Sequence, residues 1–271
     1  MGAEVKILIE GFTNAELVPR AGQEKTQPTI TLVKEENLIM VVDPGTLDNQ
    51  QTLIEALKKE NLTVDDFNLV CLTHSHIDHY RNAGMFPKAK VLEYYGLWDG
   101  NKVESWSEEL TPNITILHTP GHDYSSITVF VTTGPESIYP GVVAICGDVF
   151  WRKDYPKDPH DDIFASNAEK LAQSRELILK KADWIIPGHG PAYENEHKDN
   201  GEKKERNNKT NNILLKFLEK TKNNNEIVGY CRKCRSPIKN KDRCQCRKYL
   251  CYRCCECDLD CDNCSCSHRR R

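Results

Sequence analysis

Short apolar runs separated by turn formers organise the first two-thirds of the chain. Val5–Ile9, Thr29–Val33 and Leu38–Val42 are rich in β-branched and aliphatic residues, which predicts three strands. Asp43-Pro44-Gly45 closes the third. Across Gln50–Lys59 the apolar positions Leu53, Ile54 and Leu57 recur at helical spacing, which predicts a helix with one buried face. Phe67–Leu72, Ile114–Leu117, Ile127–Thr132 and Val142–Cys146 again read as strands, Ala168–Lys181 as a helix and Trp184–Ile186 as a short strand. Strand, helix, strand therefore recurs in each half, and the expected architecture is an α/β sandwich of two sheets with helices outside.

The pattern then stops. Glu194–Asn212 (ENEHKDNGEKKERNNKTNN) has almost no apolar residues and reads as a solvated linker. Ile213–Leu218 predicts a short helix, and Thr221–Glu226 a second polar hinge. The expected division is a catalytic-type domain over 1–193, a linker over 194–226 and a cysteine-rich module over 227–271. A hydrophobic content of 38% agrees with a chain that is only partly core. Charge divides at the same place: residues 1–200 hold 18 Lys+Arg against 31 Asp+Glu, whereas 201–271 hold 19 against 9. An acidic body of net −13 thus precedes a basic tail of net +10. The start, MGAEVKILIE, has no basic leader region, and no stretch approaches the roughly 20 apolar residues of a membrane span. We therefore expect a cytoplasmic or nuclear protein without a membrane partner, where dense cysteines signal metal rather than disulfides.

Four of the predicted strands run into metal-type residues. Phe67–Leu72 leads to Thr73-His74-Ser75-His76-Ile77-Asp78-His79, an H-x-H-x-D-H loop. Ile114–Leu117 leads to Thr119-Pro120-Gly121-His122, Val142–Cys146 to Gly147-Asp148, and Trp184–Ile186 to Pro187-Gly188-His189-Gly190. Ligands delivered from strand ends suit a site at one edge of a rigid sheet. Neutral imidazole and carboxylate are good donors for zinc, with iron and manganese as alternatives. Five imidazoles and two carboxylates suffice for two divalent ions sharing a bridging water, whose pKa would fall from 15.7 to about 7. Asp148 is the residue type that can bridge, because a carboxylate has two oxygens. His118, His160 and His197 lack such company and read as structural.

In these motifs the chain resembles the metallo-β-lactamase superfamily over roughly residues 4–193. The resemblance implies an αββα sandwich with a dinuclear site. It implies that His74, His76 and His122 hold the first metal, that Asp78, His79 and His189 hold the second, and that Asp148 bridges them. Asp43 would be the carboxylate behind the ligands that orients their loop. The implied reaction is hydrolysis by a metal-bound hydroxide, with Asp78 and Asp148 as the catalytic carboxylates and Asp78 handling a proton. Asp rather than Cys at 148 resembles the glyoxalase II, lactonase, flavodiiron and ribonuclease branches. Asp123-Tyr124-Ser125-Ser126 after His122 departs from the T-P-G-S run of many thioesterase relatives. Gly147-Asp148-Val149-Phe150, Gln173-Ser174-Arg175, Ala182-Asp183 and Pro187–Pro191 are most similar to the family called metallo-β-lactamase domain-containing protein 1. That family has been linked to endoribonuclease activity, so the resemblance implies an RNA substrate.

Eleven of the thirteen cysteines lie in the tail. Cys231-x2-Cys234 and Cys251-x2-Cys254, sixteen residues apart, have zinc-ribbon spacing. Cys244 and Cys246 compete for the same role, and Cys255, Cys257, Cys261, Cys264, Cys266 and His268 supply further donors, so one to three structural zinc ions are expected. So short a segment has almost no core and should fold only with metal. Its Lys and Arg residues, interleaved with Tyr230, Tyr249 and Tyr252, suit RNA phosphates and bases. Zinc-bound thiolates would offset that charge, which leaves a protein partner equally open. The expected function is a dinuclear hydrolase acting on RNA, with a small ester, thioester or lactone as the alternative substrate. A non-enzymatic zinc-ribbon adaptor and a cysteine-based metal store are the competing readings.

Overall fold

The computed structural model describes residues 2–15, 24–153 and 155–198, and the backbone of two strands at 227–230 and 237–239. The chain divides into two units, Met1–Asp199 and Asn200–Arg271. In the first unit, β1 (Glu4–Ile9) is followed by a small antiparallel ribbon, β2 (Phe12–Thr13) and β3 (Thr26–Gln27). Then come β4 (Ile30–Glu35), β5 (Leu38–Val42), helix α1 (Gln51–Lys59), β6 (Leu69–Cys71) and the one-turn helix α2 (Ile77–Tyr80). A meander of β7 (Lys90–Glu93), β8 (Gly96–Asp99) and β9 (Lys102–Glu104) completes a seven-stranded sheet ordered β1-β4-β5-β6-β7-β8-β9. The second sheet has six strands in chain order: β10 (Glu109–Thr111), β11 (Ile114–His118), β12 (Ile127–Thr133), β13 (Gly141–Ile145), β14 (Trp184–Ile186) and β15 (Tyr193–Glu194). Helix α3 (Ala168–Lys181) connects β13 to β14.

Side-chain parity shows why the layers stack as they do. Successive residues of a strand face opposite sides of its sheet. In the first sheet Val33, Met40, Val42, Leu69 and Cys71 point into the space between the sheets. Their neighbours Leu32, Val41 and Val70 point outward, onto Leu53 and Leu57 of α1. In the second sheet Val129, Val131, Val143, Ile145 and Ile186 face inward. Phe130, Ala144 and Ile185 face outward, onto Leu171 and Ile178 of α3. The central strands of both sheets are buried on both faces, which is why they read as nearly unbroken apolar runs. Each fully buried Leu or Ile of the two helices contributes about 1.5–3 kcal/mol to holding its helix on its sheet. The arrangement is the αββα sandwich expected from sequence.

The strands at the meander were not predicted. Lys90–Glu104 alternates charged and apolar residues over runs of three or four, and β9 is exposed throughout. The linker also starts later than the composition suggests. Glu194 pairs with Trp184, and the Asn195 amide donates to the carbonyls of Leu179 (2.7 Å) and Ala182 (2.8 Å). Polar residues here finish the sandwich by satisfying the end of α3, a role that composition does not signal.

In the second unit β16 (Ile227–Tyr230) pairs antiparallel with β17 (Pro237–Lys239). The rest of the linker, the Ile213–Leu218 helix and all the tail donors from Cys231 to His268 lie outside the described residues. Among the described residues no helix is long and apolar enough to cross a membrane.

Candidate metal centre

The crossovers β5-α1-β6 and β13-α3-β14 make their strand pairs parallel, so the strands deliver their carboxyl ends to one edge of the sandwich. The chain turns sharply at that edge. Asp43, directly after β5, has φ +50, a left-handed conformation that Asp tolerates better than most residues. Its carboxylate takes three hydrogen bonds in return: Thr73 N donates to Oδ1 at 2.8 Å, Thr73 Oγ1 donates to Oδ2 at 2.6 Å, and the His79 Nδ1 proton reaches Oδ2 at 2.8 Å. Thr73 has spent its only proton on Asp43, so its oxygen accepts from His74 Nδ1 at 3.1 Å. One buried carboxylate thereby sets the rotation of two imidazoles. Gly147, at φ +49, lets the Asp148 turn close directly against Thr73 and His74, where a Cβ would overlap the Thr73 hydroxyl.

All seven predicted residues meet at this edge, in two groups. His74, His76, His122 and Asp148 form one, and Asp78, His79 and His189 the other, with the donor atoms of each group within 4.8 Å of one another. Asp148 lies between them. Its Oδ2 is 3.4 Å from His122 Nε2 and 3.9 Å from His74 Nε2. Its Oδ1 is 3.3 Å from His79 Nε2 and 3.2 Å from His189 Nε2. His189 Nε2 also lies 3.3 Å from Oδ2, so the carboxylate is shared between the two groups. His118 stacks on Trp106 and Tyr94, His160 pairs with exposed Asp158, and His197 caps a turn on Asn195, so these three stand apart.

The donor chemistry fits two divalent cations. His74 Nε2, His79 Nε2 and Asp148 Oδ1 are buried and have no hydrogen-bond partner. An orphaned polar atom of this kind costs about 1–3 kcal/mol, and here three aim at the same small space. The other ring nitrogens are held from behind. Besides the Asp43 contacts, His122 Nδ1 meets Asp162 Oδ2 at 2.9 Å and His189 Nδ1 meets the Gln27 carbonyl at 3.0 Å. Histidine ligands normally have such partners, which fix the tautomer that presents the free nitrogen to the metal. Burial and the neighbouring His79 hold His74 well below the usual imidazole pKa, leaving it a neutral donor. Burial opposes ionisation of Asp148, but His189 and His79 outweigh it and hold the carboxyl well below its usual range. Asp162 carries no sequence signal of this role, because it acts on His122, which only folding brings to it.

Asp43→Asn tests the support. The amide keeps the shape but cannot accept all three hydrogen bonds. We expect metal affinity to fall by about 10–100-fold, read by competition with a chelator of known affinity, while far-ultraviolet circular dichroism stays at wild type.

An αββα sandwich with two cation positions at its carboxyl edge defines a metal-dependent hydrolase, and the comparisons with known proteins agree. The model of the metallo-beta-lactamase superfamily matches residues 24–100. The metallo-beta-lactamase domain-containing protein 1 of Xenopus laevis is 30% identical over 200 residues, covering 70% of this chain and 80% of the relative. Its human namesake is 31% identical over 169 residues, covering 57% of this chain and 59% of its own. A solved Thermotoga maritima structure, described as of metallo-beta-lactamase type, superposes with a TM-score of 0.58 at 19% identity, over 72% of this chain and all (100%) of that one. The chain belongs to the metallo-β-lactamase superfamily. Over 69% of its length it also shares its fold with an N-acyl homoserine lactone hydrolase, at a TM-score of 0.52, 16% identity and 92% coverage of that chain.

Proposed function

We propose that this hydrolase cleaves a small carboxylic ester, thioester or lactone carrying an apolar acyl group. The supporting observation is the character of the residues interleaved with the ligands. Ile77, between His76 and Asp78, is 58% exposed, and Tyr124, two residues past His122, is 52% exposed. The Tyr95 hydroxyl hydrogen-bonds that of Tyr124 at 2.9 Å, and the Tyr94 ring meets Tyr124 edge-on. Phe164, also exposed, stacks on Trp151, which lies edge-on to His122. Exposed apolar side chains around a polar centre mark a place where apolar ligand surface is bound. The net charge of −13 over residues 1–200 disfavours a polyanion lying across the same face. That the lactone hydrolase above shares the fold is consistent with this substrate class.

When bound, the two cations activate a water and offset the negative charge that develops on the substrate oxygen. Zinc fits this imidazole-rich donor set, with iron or manganese as alternatives. The residues do the positioning. His74, His76 and His122 would hold one cation, Asp78, His79 and His189 the other, and Asp148 would fix their separation. Asp78 is the more exposed carboxylate, at 16% against 8% for the Asp148 side chain. It is placed to take up a proton and return it to the leaving oxygen or sulfur at the carboxyl group.

The basic tail supports a second reading, phosphodiester cleavage of RNA, with the cysteine module and its one to three zincs recruiting the substrate. A protein partner for the tail is the alternative. The full metal-loaded chain should be given p-nitrophenyl esters of two to ten acyl carbons, acyl homoserine lactones, and a single-stranded RNA. We expect kcat/KM for the esters to rise by about 10-fold over a few added methylenes, because each buried CH2 is worth about 0.8 kcal/mol. Flat dependence on chain length, with RNA cleaved instead, would remove the ester reading.

A further inference from the structure

We infer that Thr26, in the N-terminal ribbon, is a positioning residue for the second cation and controls its affinity separately from the first. The inference rests on the two-cation reading of the site and is independent of the substrate.

The Thr26 hydroxyl sits between two ligands of one group. It donates to Asp78 Oδ2 at 3.1 Å and lies 3.2 Å from His189 Nδ1. That Asp78 oxygen is the one facing the imidazoles, 3.5 Å from His189 Nε2 and 3.8 Å from His79 Nε2. A hydroxyl has one proton, and this one is committed to Asp78, so toward His189 it must accept. The His189 Nδ1 proton is then shared between Thr26 Oγ1 and the Gln27 carbonyl, which leaves Nε2 as the free donor. A single side chain therefore fixes the oxygen of one ligand and the tautomer of another.

The rest of the segment stiffens this contact. Thr29 N donates to the Gly188 carbonyl at 2.7 Å, and Thr29 Oγ1 donates to the Gly190 carbonyl at 2.8 Å. These two bonds flank His189. On the other side Pro28 packs so closely on Gly45 that a Cβ there would overlap its ring, and Gly45 N donates to the His79 carbonyl at 2.9 Å. Residues 26–29 thus bridge the loop bearing His189 and the turn bearing Asp78 and His79. In the first group, His74 and His122 take their Nδ1 partners from Thr73 and Asp162 instead.

The test is an imidazole-resolved zinc titration. The full chain, labelled with nitrogen-15 in its histidine rings, is followed by NMR over a series of buffered free zinc concentrations. Each ring then reports the filling of its own position, and the tail cysteines do not contribute signals. In Thr26→Val, which keeps the shape and loses the hydroxyl, we expect the His79 and His189 signals to shift at free zinc about 10–100-fold higher than in the wild type. The His74, His76 and His122 signals should respond where they do in the wild type, which also shows that the variant is folded. Thr26→Ser, which restores the hydroxyl, should bring the His79 and His189 responses back. Two results would overturn the inference: wild-type responses at every ring in Thr26→Val, or one equal shift of all five. Neither bears on which substrate is hydrolysed.

Discussion

Replacing Asp148 by Asn should lower turnover by about 10³-fold or more, equivalent to about 4 kcal/mol of transition-state stabilisation. The two side chains have the same shape, so the loss reports chemistry rather than packing. Asp148 is buried between both ligand groups, 3.4 Å from His122 Nε2 in one and 3.3 and 3.2 Å from His79 and His189 Nε2 in the other. Its charge is kept by His189 and His79 against the cost of burial. An amide offers one weakly donating oxygen and turns an NH2 toward imidazole nitrogens that must stay free. One cation position should lose its shared ligand and the other its charge balance, so metal content per chain should fall with turnover. Turnover on the best substrate of the panel and metal analysis of dialysed protein measure the two. An Asn variant that keeps two ions and a tenth or more of wild-type turnover would show that the bridge is not where the geometry puts it.

Stripping the metal should cost the sandwich most of a typical ligand-linkage term. At a free metal concentration 1,000 times Kd, binding adds about 4 kcal/mol of stability, and in a domain of this size about 1 kcal/mol shifts Tm by roughly 2–4 °C. Dialysis against chelator should therefore lower Tm by about 8–16 °C, followed by differential scanning calorimetry. In the stripped protein His74 Nε2 is left buried without a hydrogen-bond partner, and His79 Nε2 faces only Asp148 Oδ1, at 3.3 Å. The pH dependence has a definite sign. Burial works against a proton on His79, but Asp148 and Asp43 outweigh it and raise its pKa well above the usual imidazole value. A raised folded-state pKa stabilises the stripped protein fully below the unfolded value near 6.5, and this is lost as pH rises through the folded value. Metal must displace that proton, so its own contribution shrinks toward acid. The gap in Tm between loaded and stripped protein should accordingly narrow from pH 8 to pH 5.5 as an expected trend. A gap that widened toward acid would contradict this account of the His79 environment.

How legible the molecule was depended on whether a role is written locally. Leu38–Val42 and Ile127–Thr133 announce themselves because strands buried on both faces are dense in aliphatic and β-branched residues. Helix α3 has its predicted bounds because Asn167 caps its first turn, with Lys180 and Lys181 in its last. The seven ligand-type residues were legible because H-x-H-x-D-H concentrates four of them in six positions. Asp43 came with the family resemblance, and its contacts with Thr73 and His79 give that role a physical basis. The meander strands β7–β9 stayed hidden, since about half their side chains face solvent. Thr26 and Asp162 stayed hidden for another reason. A threonine 52 residues from Asp78 and an aspartate 40 residues from His122 look like any surface polar residue until the chain is folded.

The centre straddles the seam between the two sheets. His74, His76, Asp78 and His79 hang from the first sheet, whereas His122, Asp148 and His189 hang from the second. Each cation position draws donors from both. The first half of the chain therefore carries only part of each donor set until the second sheet has docked across from it. The complete donor set of either position exists only once both halves of the sandwich have closed on each other.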